Sequence, residues 1–129
     1  PEGRPEEAPW HRVESEMKPV VLLIGKLPHV IGNVAEELDH LPIQWLGAHD
    51  QPEVVRQLET EPRIECVIMG AGLDDQIRGD LIGIIAALRP DVCIHLKDRT
   101  SGPEGLVPFV EQVVQMQVLA PPKRAAAAE

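Results

Sequence analysis

The sequence predicts an α/β fold: a doubly wound parallel sheet of four or five strands with helices on both faces. Four times in about a hundred residues, a short β-branched run is followed by a turn rich in Gly, Pro or Asp and then by a helical stretch. This repetition indicates parallel pairing, because parallel neighbours need a long crossover and a helix is the usual one. The length of 129 residues and the apolar content of 43% suit one domain with its own core.

We expect this single α/β domain over residues 18–118, with a disordered tail on each side. Residues 1–17 are rich in Glu and Pro and have no apolar periodicity, so they cannot bury enough surface to offset the entropy of ordering them. Residues 119–129 include a proline pair that stops a helix, and they are predicted to form the second tail.

The first strand is predicted at Val20–Ile24, a continuous apolar run of the kind that is buried on both faces. A helix follows from about Val30 to His40, where Val34 and Leu38 lie four residues apart on one side. A proline then breaks the chain, and the second strand is predicted at Ile43–Leu46.

The second helix is predicted to begin at Asp50, since Asp is a common N-cap and Pro52 suits the first turn. Its inner face is formed by Val54, Val55 and Leu58. The third strand, Glu65–Met69, is again a buried apolar run.

The third helix is the longest, and Asp74 or Asp75 is expected to cap it. Its inner residues recur at spacings of three and four, at Ile77, Leu81, Ile84, Ile85 and Leu88. Gly79 and Gly83 predict close packing of this helix against the sheet, or else against another helix, because a glycine costs about 1 kcal/mol relative to alanine in a helix interior.

The fourth strand is predicted at Val92–Leu96. The last helix runs to about Val118, with Pro108 in or near its first turn. Its inward residues are Leu106, Phe109, Val110, Val113 and Val114. Right-handed crossovers with one reversal after the first unit predict the strand order 2-1-3-4.

Composition and charge argue against two classes of partner. A net charge of −9 repels phosphate backbones, the basic residues are scattered, and only 2% of the residues are aromatic. No nucleic acid is therefore expected as a partner. No run approaches the ~20 apolar residues that cross a bilayer, and residues 1–17 lack the pattern of a signal peptide. We therefore expect no membrane association and a cytoplasmic location.

The two cysteines, Cys66 and Cys93, each lie inside an apolar strand run. An unpaired cysteine in such a run usually behaves as a small buried hydrophobe. A disulfide between adjacent strands is the alternative, and a reducing compartment disfavours it. We therefore predict two buried thiols.

The carboxyl ends of the strands are where a binding site is expected, because ligands of open parallel sheets bind there, at the point where the strand order reverses. The candidate ligand-binding residues follow the strands: Lys26, His29, His49, Asp50, Asp74, Asp75, Lys97 and Asp98. The same ends also carry Gly25, Gly70, Gly72, His95 and Arg99. The alternative is that these residues form solvated turns and helix caps, since loops are polar in any protein.

Two kinds of site lack their sequence signatures. His29, His49, His95 and Asp74 are suitable metal ligands by type, but they show no ligand-motif spacing, so no metal is predicted. The segment IGKLPHVIGNVAEEL resembles the opening of a Rossmann dehydrogenase, with Gly25 and Gly32 in the outer glycine positions and Asp50 as a later acid. Pro28 and His29, however, occupy the part of the turn that must approach the phosphates.

The RPD turn before the fourth strand, the ending HLKDRTSGPEGLVPFVEQVV and the lengths of the elements resemble a response-regulator receiver domain. In that family the final strand ends in a lysine, and Lys97 falls on that lysine. The resemblance covers Val20 to about Val118 and implies a flavodoxin-like three-layer sandwich. The family has five strand–helix units, of which four are recognisable here.

The residues that carry receiver chemistry are missing. The family places an acidic pair that holds magnesium after its first strand, where this chain has Gly25 and Lys26. It places the phosphoacceptor aspartate at the end of the third strand, where this chain has Met69 or Gly70. Phosphoryl transfer needs that carboxylate and a bound metal ion. We therefore expect no catalytic residues and no cofactor, in a regulatory or protein-interaction module that acts by binding.

A protein partner or a second copy of the chain is expected on the last helix and the neighbouring sheet edge, since four strands leave two edges to protect. The alternative is a small nucleotide- or dinucleotide-binding Rossmann-like domain with its site at the carboxyl edge. That alternative leaves a small-molecule ligand and enzymatic activity open.

Overall fold

The computed structural model describes residues 18–119, which form one sheet flanked by helices. The strands are β1 (Val20–Ile24), β2 (Gln44–Ala48), β3 (Ile64–Met69) and β4 (Cys93–Leu96). The α-helices are α1 (Pro28–Glu37), α2 (Gln51–Thr60), α3 (Asp75–Leu88) and α4 (Leu106–Val113). A 3-10 turn at Pro103–Gly105 leads into α4, and a π-helical turn at Val114–Val118 follows it. The two predicted tails lie outside the described residues, apart from Leu119.

The sheet confirms the predicted fold class and strand order. Its four strands are all parallel and lie in the order β2-β1-β3-β4. The described residues contain no fifth strand. The chain moves to one side from β1 to β2 and to the other side at β3, so the strand order reverses between β1 and β3. This point is where the carboxyl ends of adjacent strands leave room for a ligand.

Each face of the sheet has its own core. On the α2/α3 face, the buried side chains of the sheet pack against Val54 and Leu58 of α2 and Leu81 and Ile85 of α3. On the α1/α4 face, they pack against helix residues that include Val34 of α1 and Val110 of α4. The side chains of β1 alternate between the two faces and are almost completely buried, as the continuous apolar run predicts.

Capping residues and a proline determine where the helices begin. Asp50 and Asp74 cap α2 and α3, and their carboxylates accept hydrogen bonds from the backbone N–H groups of Glu53 (3.0 Å) and Ile77 (2.9 Å). Helix α1 begins at Pro28, two residues before the predicted start. The fixed φ of proline suits the first helical turn. A backbone N–H at that position would have no intrahelical partner, so proline loses no hydrogen bond there.

The orientation of α3 differs from the prediction. Gly79 and Gly83 are exposed, and a Cβ added at either would meet nothing within 4 Å, so the predicted close packing at these glycines is wrong. Ile77 and Leu88 are also exposed rather than inward. The inward stripe instead contains Arg78, whose Nη2 donates hydrogen bonds to backbone oxygens at the sheet edge, while its Nε is buried without a hydrogen-bond partner.

Candidate functional site

A cavity of about 500 Å³ lies at the carboxyl edge of the sheet, where the strand order reverses. Its walls are the loops that follow β1, β3 and β4, together with the inner sides of α1 and α4. Most of the lining is apolar and includes Val30, Ile31, Val34, Leu106 and Val110. Its volume is within the range of small-molecule sites.

Cations border this cavity. Lys26, Lys97 and Arg99 belong to its lining, and the lining drawn from residues 18–119 includes no carboxylate. Of the eight candidates predicted at this edge, the cavity therefore brings together Lys26 and Lys97. Lys26 is exposed and has no hydrogen bond or ion pair with another described residue. Its ammonium group is therefore available to an anionic ligand.

Lys97 stabilises the loop that follows β4. Its side chain is 2% exposed, and its Nζ donates hydrogen bonds to the backbone oxygen of Asp98 (2.6 Å) and to Oγ of Ser101. The same ammonium lies 3.5 Å from Oδ1 of Asp98. These contacts occupy the donors of the buried ammonium within four residues of the chain, so Lys97 fixes the shape of the loop.

Asp98 organises the same loop from the outside. Its carboxylate accepts hydrogen bonds from Oγ1 of Thr100 (2.7 Å) and from the backbone N–H of Ser101 (2.9 Å). The hydrogen bonds from Thr100 and Ser101 hold the pKa of Asp98 well below its usual value, with a smaller contribution from the charge of Lys97. The loop ends at Gly102, whose φ of +76° is in the region that glycine adopts without strain.

Two arginines connect the ends of β3 and β4. Arg78, which is 8% exposed, donates from Nη2 to the backbone oxygens of Gly70 (2.9 Å) and Lys97 (2.6 Å). Arg99 donates from Nη2 to the backbone oxygen of Leu73 (2.7 Å) and pairs with the carboxylate of Asp75 at 2.9 Å. Burial and the neighbouring charge of Arg99 lower the pKa of Arg78.

Arg78 was not among the sequence-based candidates. The signal that could have found it is its position three residues before Leu81 and seven before Ile85, which places a charged residue on the buried stripe of a helix. A buried arginine at such a position needs acceptors, and the carboxyl ends of parallel strands supply them.

The other predicted site residues lie outside the cavity lining. Asp74 caps α3, and Asp75 is the partner of Arg99. Asp50 caps α2, while the Nδ1 and the backbone N–H of His49 both lie 2.8 Å from Oε1 of Glu53. His29 is exposed in the first turn of α1.

A second group of reactive side chains lies on the α1/α4 face. Cys66 and Cys93 are register partners in the β3–β4 ladder, and both are free thiols. Cys66 is fully buried as predicted, whereas Cys93 on the edge strand is only half-buried. Ligand atoms of Cys66, Cys93 and His95 all lie within 4.8 Å of one another. The metal set weighed from the sequence, His29, His49, His95 and Asp74, is not among the clusters of this size in the described residues.

The two thiols differ in acidity. The hydrogen bond that they share, followed by burial, raises the pKa of Cys66 far above its usual value. The same hydrogen bond and a second one from His95 lower the pKa of Cys93 to about 6. The Sγ of Cys93 also lies 3.5 Å from the backbone oxygen of Glu65.

Comparisons with protein-family models, with curated proteins and with solved structures find no match for this chain. A search of the described residues finds no helix with the length and apolar character needed to span a membrane.

Proposed function

We propose that this domain is a noncatalytic regulatory module of receiver-like form that acts by binding rather than by phosphoryl transfer. The observation that carries the proposal is the chemistry of the carboxyl edge. The positions at which a receiver would hold magnesium are occupied here by Gly25 and Lys26, and the position that would accept a phosphoryl group is occupied by Met69 or Gly70. Neither an exposed ammonium group nor glycine can replace these carboxylates.

The neighbouring carboxylates are committed to other contacts, which supports the same proposal. Asp74 accepts the backbone N–H of Ile77 in α3, Asp75 pairs with Arg99, and Asp98 holds the loop after β4. A phosphoacceptor needs a carboxylate that is free to attack and that lies beside a metal-binding pair. The three aspartates instead have structural roles in capping and in loop closure.

An amide NMR spectrum recorded with beryllofluoride and magnesium tests this proposal, because this complex imitates a phosphoryl group on an active-site carboxylate. We expect no shifts in the loops after β1, β3 and β4 at millimolar reagent. An authentic receiver domain under the same conditions is the positive control. Saturable shifts in these loops that disappear in Asp74→Asn or Asp75→Asn would contradict a noncatalytic role.

For the partner, we propose a second copy of this chain, bound along the β4 edge and α4. This proposal is supported by the outer position of β4 in the sheet and by the exposure of Leu96, an apolar residue on this strand. Sedimentation equilibrium is expected to show a dimer that Leu96→Lys weakens by more than about 10-fold, which is 1.4 kcal/mol. Ile77→Lys, on α3, is the matched control, since Ile77 and Leu96 are 42% and 41% exposed. A wild-type protein that remains monomeric at high concentration would exclude the second copy.

One observation favours a second candidate function, the binding of a small nucleotide at the carboxyl edge. The cavity lies at the reversal of strand order, is large enough for a ligand of this size and is bordered by the uncommitted Lys26. Pro28 and His29, which replace the phosphate-binding glycine, lie outside its lining. A ligand in the cavity would therefore contact Val30 and Ile31 of α1 rather than Pro28 and His29.

Titration with AMP, FMN or NADH, followed by amide NMR, separates this candidate from the first. Binding in the cavity predicts shifts in residues 25–34, 70–72 and 97–110, with affinity reduced at least about tenfold by Lys26→Ala, because an anion loses a charged hydrogen bond. Lys18→Ala is the control, since Lys18 is also exposed but precedes β1 at the opposite edge of the sheet. The absence of shifts at millimolar ligand would exclude nucleotide binding.

A further inference from the structure

We propose that Cys66, Cys93 and His95 form a binding site for a thiophilic d10 metal ion, with Zn²⁺ as its expected occupant. The inference goes beyond the proposed function, since these three residues do not line the cavity. It rests on the geometry of the β3–β4 ladder, on the lack of a hydrogen-bond partner for the Nε2 of His95, and on the match between the charges of the ligands and of the ion.

The ladder places the three side chains on one face. Cys66 and Cys93 are directly paired on neighbouring parallel strands, and His95 follows Cys93 by two residues. Paired residues of a sheet point to the same side, as do residues i and i+2 of one strand. The ligand atoms therefore converge, and all three are within 4.8 Å of one another.

This separation is close to what a zinc ion requires. Zn–S bonds of about 2.3 Å and Zn–N bonds of about 2.0 Å in a tetrahedral arrangement put the ligand atoms roughly 3.5 to 3.8 Å apart. Rotation of the side chains of Cys66, Cys93 and His95 would have to close the remaining difference. Two thiolates and an imidazole also select zinc over magnesium or calcium, which prefer oxygen ligands.

The environment of His95 and the charge of the set agree with this assignment. The Nε2 of His95, one of the two ring nitrogens that could bind the ion, has less than 1 Å² of accessible surface and no hydrogen-bond partner. An unbonded polar atom at such a place is unusual and costs free energy. Two thiolates and a neutral imidazole would balance the charge of a divalent ion, so that the loaded site adds no net charge to this apolar face.

Three protein ligands leave a fourth coordination position. Cys93 is half-buried on the outer strand, so this position would open towards the β4 edge rather than towards the core. Closed structural zinc sites have four protein ligands, whereas sites with three accept a water molecule or another exogenous ligand. The proposed site is therefore of the open type.

Titration of the reduced, metal-free full chain with Co²⁺ tests the proposal. We expect one Co²⁺ per chain, with an intense thiolate charge-transfer absorption and the visible bands of a tetrahedral ion, and displacement of that ion by Zn²⁺. Cys93→Ser and His95→Asn are the decisive variants, since both positions are only partly buried and tolerate polar replacements better than Cys66. Each should weaken Co²⁺ binding by more than about 100-fold, because even the outer-shell partners of metal ligands contribute about 10- to 100-fold.

His49→Asn is the matched control, because His49 belongs to the other cluster of potential ligands in the described residues, together with Asp50 and Glu53. This variant should leave Co²⁺ binding unchanged. Binding that is lost in His49→Asn and kept in Cys93→Ser would overturn the proposal. So would a reduced protein that shows no thiolate absorption with Co²⁺ and whose cysteines only form the Cys66–Cys93 disulfide on oxidation.

Discussion

The α2/α3 face and the α1/α4 face are built on the same four strands, but they differ in chemistry. The buried core of the α2/α3 face consists of aliphatic side chains and Met69. The α1/α4 face contains Cys66 and packs against Trp45 and Cys93, and it extends into the cavity at the carboxyl edge. The indole Nε1 of Trp45 and the Nε2 of His95 are buried without a hydrogen-bond partner, and so is the Nε of Arg78 on α3.

This difference indicates that the two faces of the sheet have different roles. Because alternate residues of each strand point to opposite faces, β3 supplies Val67 and Met69 to one side and Cys66 and Ile68 to the other. We expect the aliphatic core of the α2/α3 face to contribute most to stability. The α1/α4 face borders the cavity, which is a feature expected at binding sites. Substitutions on the two faces test this division.

The largest effect is expected from Ile85→Ala on the α2/α3 face. Ile85 is fully buried, so the substitution leaves a cavity and should reduce the free energy of unfolding by about 4 kcal/mol. Ile31→Ala, beside the existing cavity on the α1/α4 face, should cost only about 1 kcal/mol, since Ile31 is half-buried and water can enter the enlarged space. Urea denaturation measures both, and equal losses would contradict the proposed division.

Arg78→Met should reduce the free energy of unfolding by about 3 kcal/mol, because the backbone oxygens of Gly70 and Lys97 lose charged hydrogen bonds while remaining at the sheet edge. Chemical denaturation provides the measurement. Arg56→Met on the exposed side of α2 is the control and should change stability by less than about 0.5 kcal/mol. If the two variants were equally stable, Arg78 would not hold the strand ends together.

A pair of glycine substitutions is expected to act in opposite directions. A Cβ on Gly47 would lie 2.7 Å from Cγ2 of Ile31, so Gly47→Ala should destabilise the fold by about 2 kcal/mol through overpacking of the α1/α4 face. Gly79→Ala meets open space in a helix and should stabilise by about 0.5 to 1 kcal/mol. Thermal unfolding of both variants shows whether each substitution raises or lowers the stability. If Gly47→Ala stabilised the fold, α1 would not be closely packed on β2.

The smallest effect concerns pH. The pKa of Asp98 is lowered in the folded state, so its contribution to stability is present above the unfolded pKa of about 4 and is lost as the pH falls through the folded value. Asp98→Asn should therefore be less stable than the wild type at pH 6, and the difference should shrink in strong acid. Denaturation at several pH values measures this. A difference that grows on acidification would contradict the assigned direction.

Much of this fold could be predicted because it follows from local patterns in the sequence. The strand order follows from the four apolar runs and the right-handedness of crossovers, and the cap at Asp50 follows from a three-residue pattern. The orientation of α3 could not be predicted by counting apolar residues, since the burial of Arg78 depends on acceptors from two separate strands. The convergence of Cys66 with Cys93 and His95 depends on the register between β3 and β4. This register cannot be read from the spacing of the residues along the sequence.

We propose above all that this domain acts by binding a partner and that its carboxyl edge does not accept a phosphoryl group. Intact-protein mass spectrometry after incubation with acetyl phosphate and magnesium tests it most directly. We expect an unchanged mass, because Gly25 and Lys26 cannot hold the metal ion and neither Met69 nor Gly70 can act as the nucleophile. A stoichiometric gain of one phosphoryl group that is released by hydroxylamine would identify an acyl phosphate and contradict it.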